Sequence, residues 1–390
     1  MLTNTIAYFR HRPSRSIGFL FAVGSLLLGI WVAALPGIKE RLELSDGTLG
    51  LSLLLAPLGS LAGVAVSPYI FSRFGAGRYW LAGCFLQCLM YISQVMAVNR
   101  PMFWAALFGT GFLGCLNGIA SNAIVDSTEK KTSRKIMSTS HAMYSIGGGV
   151  SAGIAALLNN FQVPAPYQIV AMSVAIWFGL LLVRKEILHH NEPIHSGPAF
   201  SAPPRTVAGL AFICFVTFMG EGCIADWSAI YIHESLKSSL ALASLGYAGF
   251  SVMMAFGRLN GDRLSASFPA VKIVKTGLLV AATGFVLVVF VPFSWAAITG
   301  FTLAGLGFSC IVPLLFSSAA NIPDISPVMG IASVATGGLI GFLTGPALIG
   351  FISERISLGW GLSIMLLLCL GAFVTAGRNR FPTPQNAKIA

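Results

Sequence analysis

Charge is what this sequence has least of. Asp, Glu, Lys and Arg make up 9% of its 390 residues, against roughly 25% in an ordinary soluble protein. With 55% hydrophobic residues and a mean hydropathy of +0.80, a soluble fold would have too little polar surface to cover itself, and no polar stretch of domain size remains. The phosphate-cradling pattern GxxxxGK[ST] is missing, which excludes an ATP-driven pump of that kind. HExxH is missing too, and no enzyme is expected. All seven cysteines (84, 88, 115, 214, 223, 310 and 369) fall within apolar runs, with no CxxC and no His at zinc spacing. Neither a disulfide framework nor a metal site is expected, and no cofactor. The net charge of +11 does not point to nucleic acid, because the basic residues lie between apolar runs and not on one polar face.

What is present is a series of apolar stretches near the roughly 20 residues that a helix needs to cross a bilayer. Polar or Pro/Gly punctuation divides them into twelve expected spans, at 17–37, 46–70, 78–98, 102–126, 138–158, 166–183, 207–232, 240–260, 271–291, 294–318, 328–350 and 360–376. The first follows a basic leader (Arg10, Arg12, Arg15) but is too long for a signal peptide and lacks a small-x-small cleavage site, so it reads as a retained helix. Placing the N-terminus in the cytoplasm puts 19 of the 24 Lys and Arg on that side. That bias orients the chain with both termini inside and fits an even number of spans. The expectation is an all-α integral membrane protein of the bacterial inner membrane, in contact with lipid and monomeric.

The longest break, 184–206, is rich in Pro, Ser and His. It reads as a cytoplasmic linker between a bundle at 1–183 and a second at 207–390. His189, His190 and His195 in it have no fixed geometry for a metal. The two halves echo each other at an offset of roughly 190 residues. PYIFSRFGAGR (68–78) follows the second span as GRLNGDRL (257–264) follows the eighth, and MSTSHAMYSIGGG (137–149) opens the fifth as MGIASVATGGLIG (329–341) opens the eleventh. Duplicated six-helix bundles are an architecture in which a substrate site forms between the halves near the midplane.

GRLNGDRL resembles the signature G-x-x-x-D-R-x-G-R, which the major facilitator superfamily carries between spans two and three and again between eight and nine. The first copy keeps Arg73, Gly75 and Arg78 but has Ser72 where the family has Asp. The resemblance implies a cytoplasmic gate in tight turns, formed by Arg73, Gly75 and Arg78 in one half and by Gly257, Arg258, Gly261, Asp262 and Arg263 in the other. With the segments 29–50, 116–131, 221–232 and 333–354 it covers nearly the whole chain and is similar to the fucose permease-like, YbjJ-like inner-membrane branch of that superfamily. That branch implies a sugar-like solute. Similar proteins often carry an Arg in the first span and an acid in the fourth; here those places hold Ala34 and Asn117.

Glu221 and Asp226 are acids inside the seventh span, where a charge costs roughly 2.5–3.5 kcal/mol and is usually functional. Glu221 lies about 20 Å into the membrane by helical rise and is the first proton-coupling candidate. Asp226, about 140° round the helix, is expected nearer the outer mouth with Trp227, Tyr231 and His233, as an external gate or an interfacial cap. His141, a third proton candidate, shares a face with Tyr144 and Gly148 in the fifth span. Asn117, Ser121 and Asn122 in the fourth span offer groups for a polyhydroxy ligand, or else helix glue. Trp31, Gln87, Tyr91, Tyr144 and Trp227 complete the candidate substrate site. The expected function is a secondary transporter moving a small polar solute, coupled to protons. A proton-antiport exporter of drugs or metabolites would use the same fold. A non-transporting receptor or scaffold would have little use for duplicated gate loops.

Overall fold

The computed structural model describes residues 8–132, 136–189, 204, 206–323, 325–379 and 381. Among them the secondary structure is helical, as hydrocarbon requires, since a helix satisfies its own backbone groups. Eleven segments are long and apolar enough to cross a membrane. A twelfth, Ala76–Val95, is 20 residues long, its apolar character diluted by Arg78, Gln87 and Gln94. In chain order the spans are 1 (Arg12–Arg41), 2 (Asp46–Leu53 continued by Leu55–Phe74), 3 (Ala76–Val95), 4 (Arg100–Thr132), 5 (Met137–Asn160), 6 (Ala165–Leu188), 7 (Ala208–Ile230, extended by a π turn, Tyr231–Ser235), 8 (Leu240–Ser267), 9 (Ala270–Phe290), 10 (Ser294–Phe308 continued by Ile311–Ala320), 11 (Pro327–Arg355) and 12 (Leu358–Arg378). Most run a few residues beyond the expected limits. His190 and His195 of the linker lie outside the described residues.

The packing repeats itself. Spans 1 and 5, 2 and 4, 3 and 4, and 3 and 6 pair in the first half, and 7 and 11, 8 and 10, 9 and 10, and 9 and 12 do so in the second. The match reaches single residues. A side chain at Gly111 of span 4 would strike the Ala56 carbonyl of span 2, and one at Gly305 of span 10 would strike the Phe250 carbonyl of span 8. Both members of the second pair lie 194 positions after the first. At the same shift Glu43 and Lys237 take positive φ angles of 50° and 52°, each two residues before a serine, Ser45 and Ser239, that caps the next helix. Small residues bring the backbones this close because lipid supplies no apolar drive for helix association.

The halves meet along spans 5 and 8 and, at the end remote from the chain termini, along spans 2 and 11. There Gly50 lies against Pro346 and Gly350, and Gly350 against Asp46. Two spans break where proline withdraws a donor: span 2 at Leu54, ahead of Pro57, and span 10 at Ser309 and Cys310, ahead of Pro313. The Cys310 thiol turns to the Gly257 carbonyl of span 8 at 3.4 Å.

The expected gate turn of the second half is not a turn. GRLNGDRL is the last part of the span 8 helix, which runs unbroken to Ser267, so Gly257 and Gly261 act as contact surfaces for Ser309 and Cys310 of span 10. In the first half Gly75 does form a tight turn, at φ 70°, where a Cβ would be strained. Replacing Gly111 with Val forces a side chain onto the Ala56 carbonyl and is expected to cost about 1–3 kcal/mol. The same change at Gly118, where a Cβ meets nothing within 4 Å, should be nearly neutral. Melting temperatures of the two purified variants in one detergent check this.

Candidate functional site

Arg258 is the organising side chain of the interior. From span 8 it donates from Nη1 to the Ser145 hydroxyl of span 5 at 3.0 Å and from Nη2 to Oε1 of Glu221 in span 7 at 3.5 Å. One guanidinium thus ties the first half to two spans of the second. The Arg258 and Glu221 side chains each keep 18% of their surface accessible. Tyr144 and Tyr247 stand in the field of the same pair, and Tyr247 bonds Ser251. Tyr144 is 39% exposed even so. His141 is exposed on the same face of span 5, in the field of Arg258 and edge-on to Phe21 at 4.9 Å between ring centroids.

Arg258 therefore leaves the tight-turn gate expected at the cytoplasmic surface. It lies nine residues inside the end of span 8 and gives Glu221 a countercharge, although Ala34 and Asn117 stand where similar proteins often carry an Arg and an acid. Asp262 and Arg263 stay exposed at the span end, and Arg73 donates to the Tyr69 hydroxyl at 3.2 Å. Asp226 has no hydrogen bond or ion pair among the described residues. Its neighbours in the field are Tyr91, which in turn faces Tyr144 and Tyr247, and Cys223. That set belongs to the interior, so the expected outer cap is not found. Trp227, expected with it at the membrane interface, is wholly buried, and so is Tyr231, whose hydroxyl donates to the Val288 carbonyl at 2.6 Å.

Several substrate candidates are committed to one another. Asn117 donates to Gln87 at 2.5 Å, and Trp80 donates to Ser121 at 2.8 Å; all four residues are buried. They join spans 3 and 4 as glue, and Asn122 points elsewhere, exposed. Trp31 is 4% exposed and Trp227 0%. Their indole N–H groups have no partner among the described residues, and neither ring lies open to a solute in this conformation. The motif GxSxG does occur, at Gly149–Gly153, but in mid-helix. Ser151 is buried and donates to the Ser25 and Gly148 carbonyls, both at 3.2 Å, which is not the exposed elbow that a nucleophile needs. Among the described residues no group of three or more His, Cys, Asp or Glu could hold a metal ion.

The sequence reading passed over a second cluster. At the end remote from the termini, Lys39 of span 1 contacts Asp46 of span 2 and Glu234 of the π turn after span 7, both at 2.5 Å. Asp46 also accepts from Ser353 of span 11. The lysine is almost buried, with 11% of its side chain accessible. Four spans from both halves converge on it, beneath a cleft of about 580 Å³ lined by Glu40, Glu43, His233 and Lys237 among others. The only signal in the sequence was a cation and two acids at helix ends on one side of the membrane. This clamp ties spans 1, 2, 7 and 11 together at the remote end.

Twelve spans in two matching bundles, tied at one end around a nearly buried lysine and two acids, are the architecture of a membrane transporter. The Major Facilitator Superfamily profile matches residues 17–327, and the chain belongs to that superfamily. It is 33% identical over 359 residues to an uncharacterized MFS-type transporter of Yersinia pestis, covering 91% of this chain and 93% of the other. It is 28% identical to membrane protein MosC of Rhizobium meliloti, covering 95% and 92%. Among solved structures it resembles a bacterial homolog of the human lysosomal transporter Spinster in an inward-facing, unoccupied conformation, with TM-score 0.70, 14% identity, and 94% and 97% of the chains covered. It also resembles the nucleoside transporter NupG, with TM-score 0.67, 11% identity, and coverage of 94% and 99%.

Two outcomes test the site. Lys39→Gln removes both ion pairs of the clamp. It is expected to raise, several-fold, the rate at which a cysteine placed at the buried Leu44 reacts with a membrane-impermeant maleimide from that side. Ser121→Ala strands the Trp80 indole and is expected to lower stability by about 1–3 kcal/mol, seen as a lower melting temperature, while leaving solute affinity unchanged.

Proposed function

We propose that the protein is a proton-coupled secondary transporter of a small polar solute, sugar-like in size and polarity, in the bacterial inner membrane. Both termini lie in the cytoplasm, the bundles at 1–183 and 207–390 are its two moving bodies, and it works as a monomer. The placement within the fucose permease-like branch belongs to the same reading.

The observation that carries the proposal is the tie from Ser145 through Arg258 to Glu221. While Glu221 is ionised it holds Arg258 against span 7, and Arg258 holds span 5. A proton on Glu221 cancels the charge that fixes Arg258 and frees the halves to rock, which couples a proton to the conformational step. Asp226, with no cation beside it, is the second proton carrier. His141, exposed towards the cytoplasmic opening, lies on the route between Glu221 and water. Tyr144, exposed beside the pair, presents its hydroxyl and ring face to the solute.

A second reading is favoured by one feature. Because Asn117, Gln87 and Ser121 spend their polar groups on one another and on Trp80, the wall they form offers few free donors, which suits a less polar cargo expelled in exchange for protons. Reconstitution into proteoliposomes separates the two. With the lumen alkaline, the symporter accumulates its solute in the direction of proton entry; an antiporter moves it against proton flow. Glu221→Gln is expected to abolish gradient-driven accumulation and to keep solute exchange at equal pH. Accumulation that survives in Glu221→Gln overturns the coupling role.

A further inference from the structure

At the end of the molecule that carries the termini, spans 9 and 12 form a cleft of about 450 Å³ lined by Val271, Lys272, Lys275, Thr276, Leu279, Phe373 and Gly377. Its chemistry changes along its length. Lys272, Lys275, Thr276 and Leu279 follow one another at helical spacings of three, four and seven, which puts them on one stripe of span 9. The stripe begins cationic at the helix start and ends apolar towards the membrane interior, where Leu279 is 43% exposed. Each lysine is held over an aromatic face: the Lys272 ammonium lies 5.1 Å from the Phe268 ring centroid, and that of Lys275 lies 4.3 Å from Phe373. Neither has a carboxylate within ion-pair distance among the described residues. The first turn of span 9 also lacks a side-chain cap, so its free N–H groups add positive potential at the same place.

We infer that this cleft binds the headgroup of an acidic phospholipid. The phosphate sits between Lys272 and Lys275 at the head of span 9, and an acyl chain runs down past Leu279 and Phe373. Two cations fixed in place by ring faces, with no acid among the described residues to neutralise them, complement a phosphodiester. The apolar continuation of the same stripe complements the rest of a lipid and has no counterpart in a free phosphate. The site lies on the outer wall of the second half, next to the turn that joins span 8 to span 9. Lys272 rests on Phe268, the residue directly after the helix that carries Arg258. A lipid held there loads the end of the helix whose other residues tie the halves together. The inference concerns binding at the membrane surface and holds whatever solute the interior carries.

The test uses the full-length protein, purified in a neutral detergent. Melting temperature is followed against phosphatidylglycerol, phosphatidylcholine, and glycerol 3-phosphate as the soluble phosphate. Phosphatidylglycerol is expected to stabilise, and the other two are not. In the Lys272→Gln/Lys275→Gln double variant the phosphatidylglycerol response should need roughly tenfold more lipid or more, with the melting temperature in phosphatidylcholine unchanged. Lys275→Arg should keep the response. An undiminished response in the double variant, or an equal response to glycerol 3-phosphate, overturns the assignment. If the double variant does not fold, cross-linking of the wild-type protein with a photoreactive acidic phospholipid decides: adducts within 268–279 or 373–379 support the site, and adducts confined elsewhere overturn it.

Discussion

In hydrocarbon, burying one apolar helix against another gains nothing over burying it in lipid, so each helix contact has to be made by close backbone approach or by a polar tie. Most of this fold follows from that constraint. Within each half, glycine opposes a carbonyl: Gly111 at Ala56, Gly305 at Phe250, Gly284 and Gly300 at each other. Between the halves both kinds of contact occur: glycine meets backbone at Gly50 and Pro346, and the seams at Lys39 and Arg258 add charge.

The two charged seams work at different depths and face different media. Lys39 of span 1, nearly out of water, is balanced against carboxylates of spans 2 and 7, and the Asp46 carboxylate is held in turn by the Ser353 hydroxyl of span 11. Arg258 is shared between a neutral hydroxyl and a single carboxylate, and its bond to Glu221, at 3.5 Å, is long. A long charge-assisted bond is the weaker of the two.

How much of this was legible in the sequence depends on the kind of feature. The number of spans, the duplication and the superfamily are written in long periodic signals such as the twelve apolar runs and the paired motifs at 137 and 329. Pairings were not. Asn117 and Ser121 looked like ligand groups because a sequence shows that a residue is polar without showing that Gln87 and Trp80 already occupy it. Arg258 was assigned to a surface turn because GRLNGDRL reads as loop chemistry, with two glycines and three charges in eight residues. In the fold the glycines serve the approach of span 10, so the helix continues and its arginine turns inward. Lys39 escaped notice because its partners lie 7 and 195 positions away, and only the closed remote end brings them together.

The duplication is one of backbone and not of chemistry. Shifting Glu221, Asp226 and Arg258 back by 194 positions lands on Leu27, Val32 and Val64, all apolar. The halves share a frame, yet both interior carboxylates and the arginine beside them lie on the second, while the first contributes His141 and the Ser145 hydroxyl. An ancestral symmetric pair could have carried its acids in either half; in this chain they sit in the second, so under the proposed coupling a proton acts from that side.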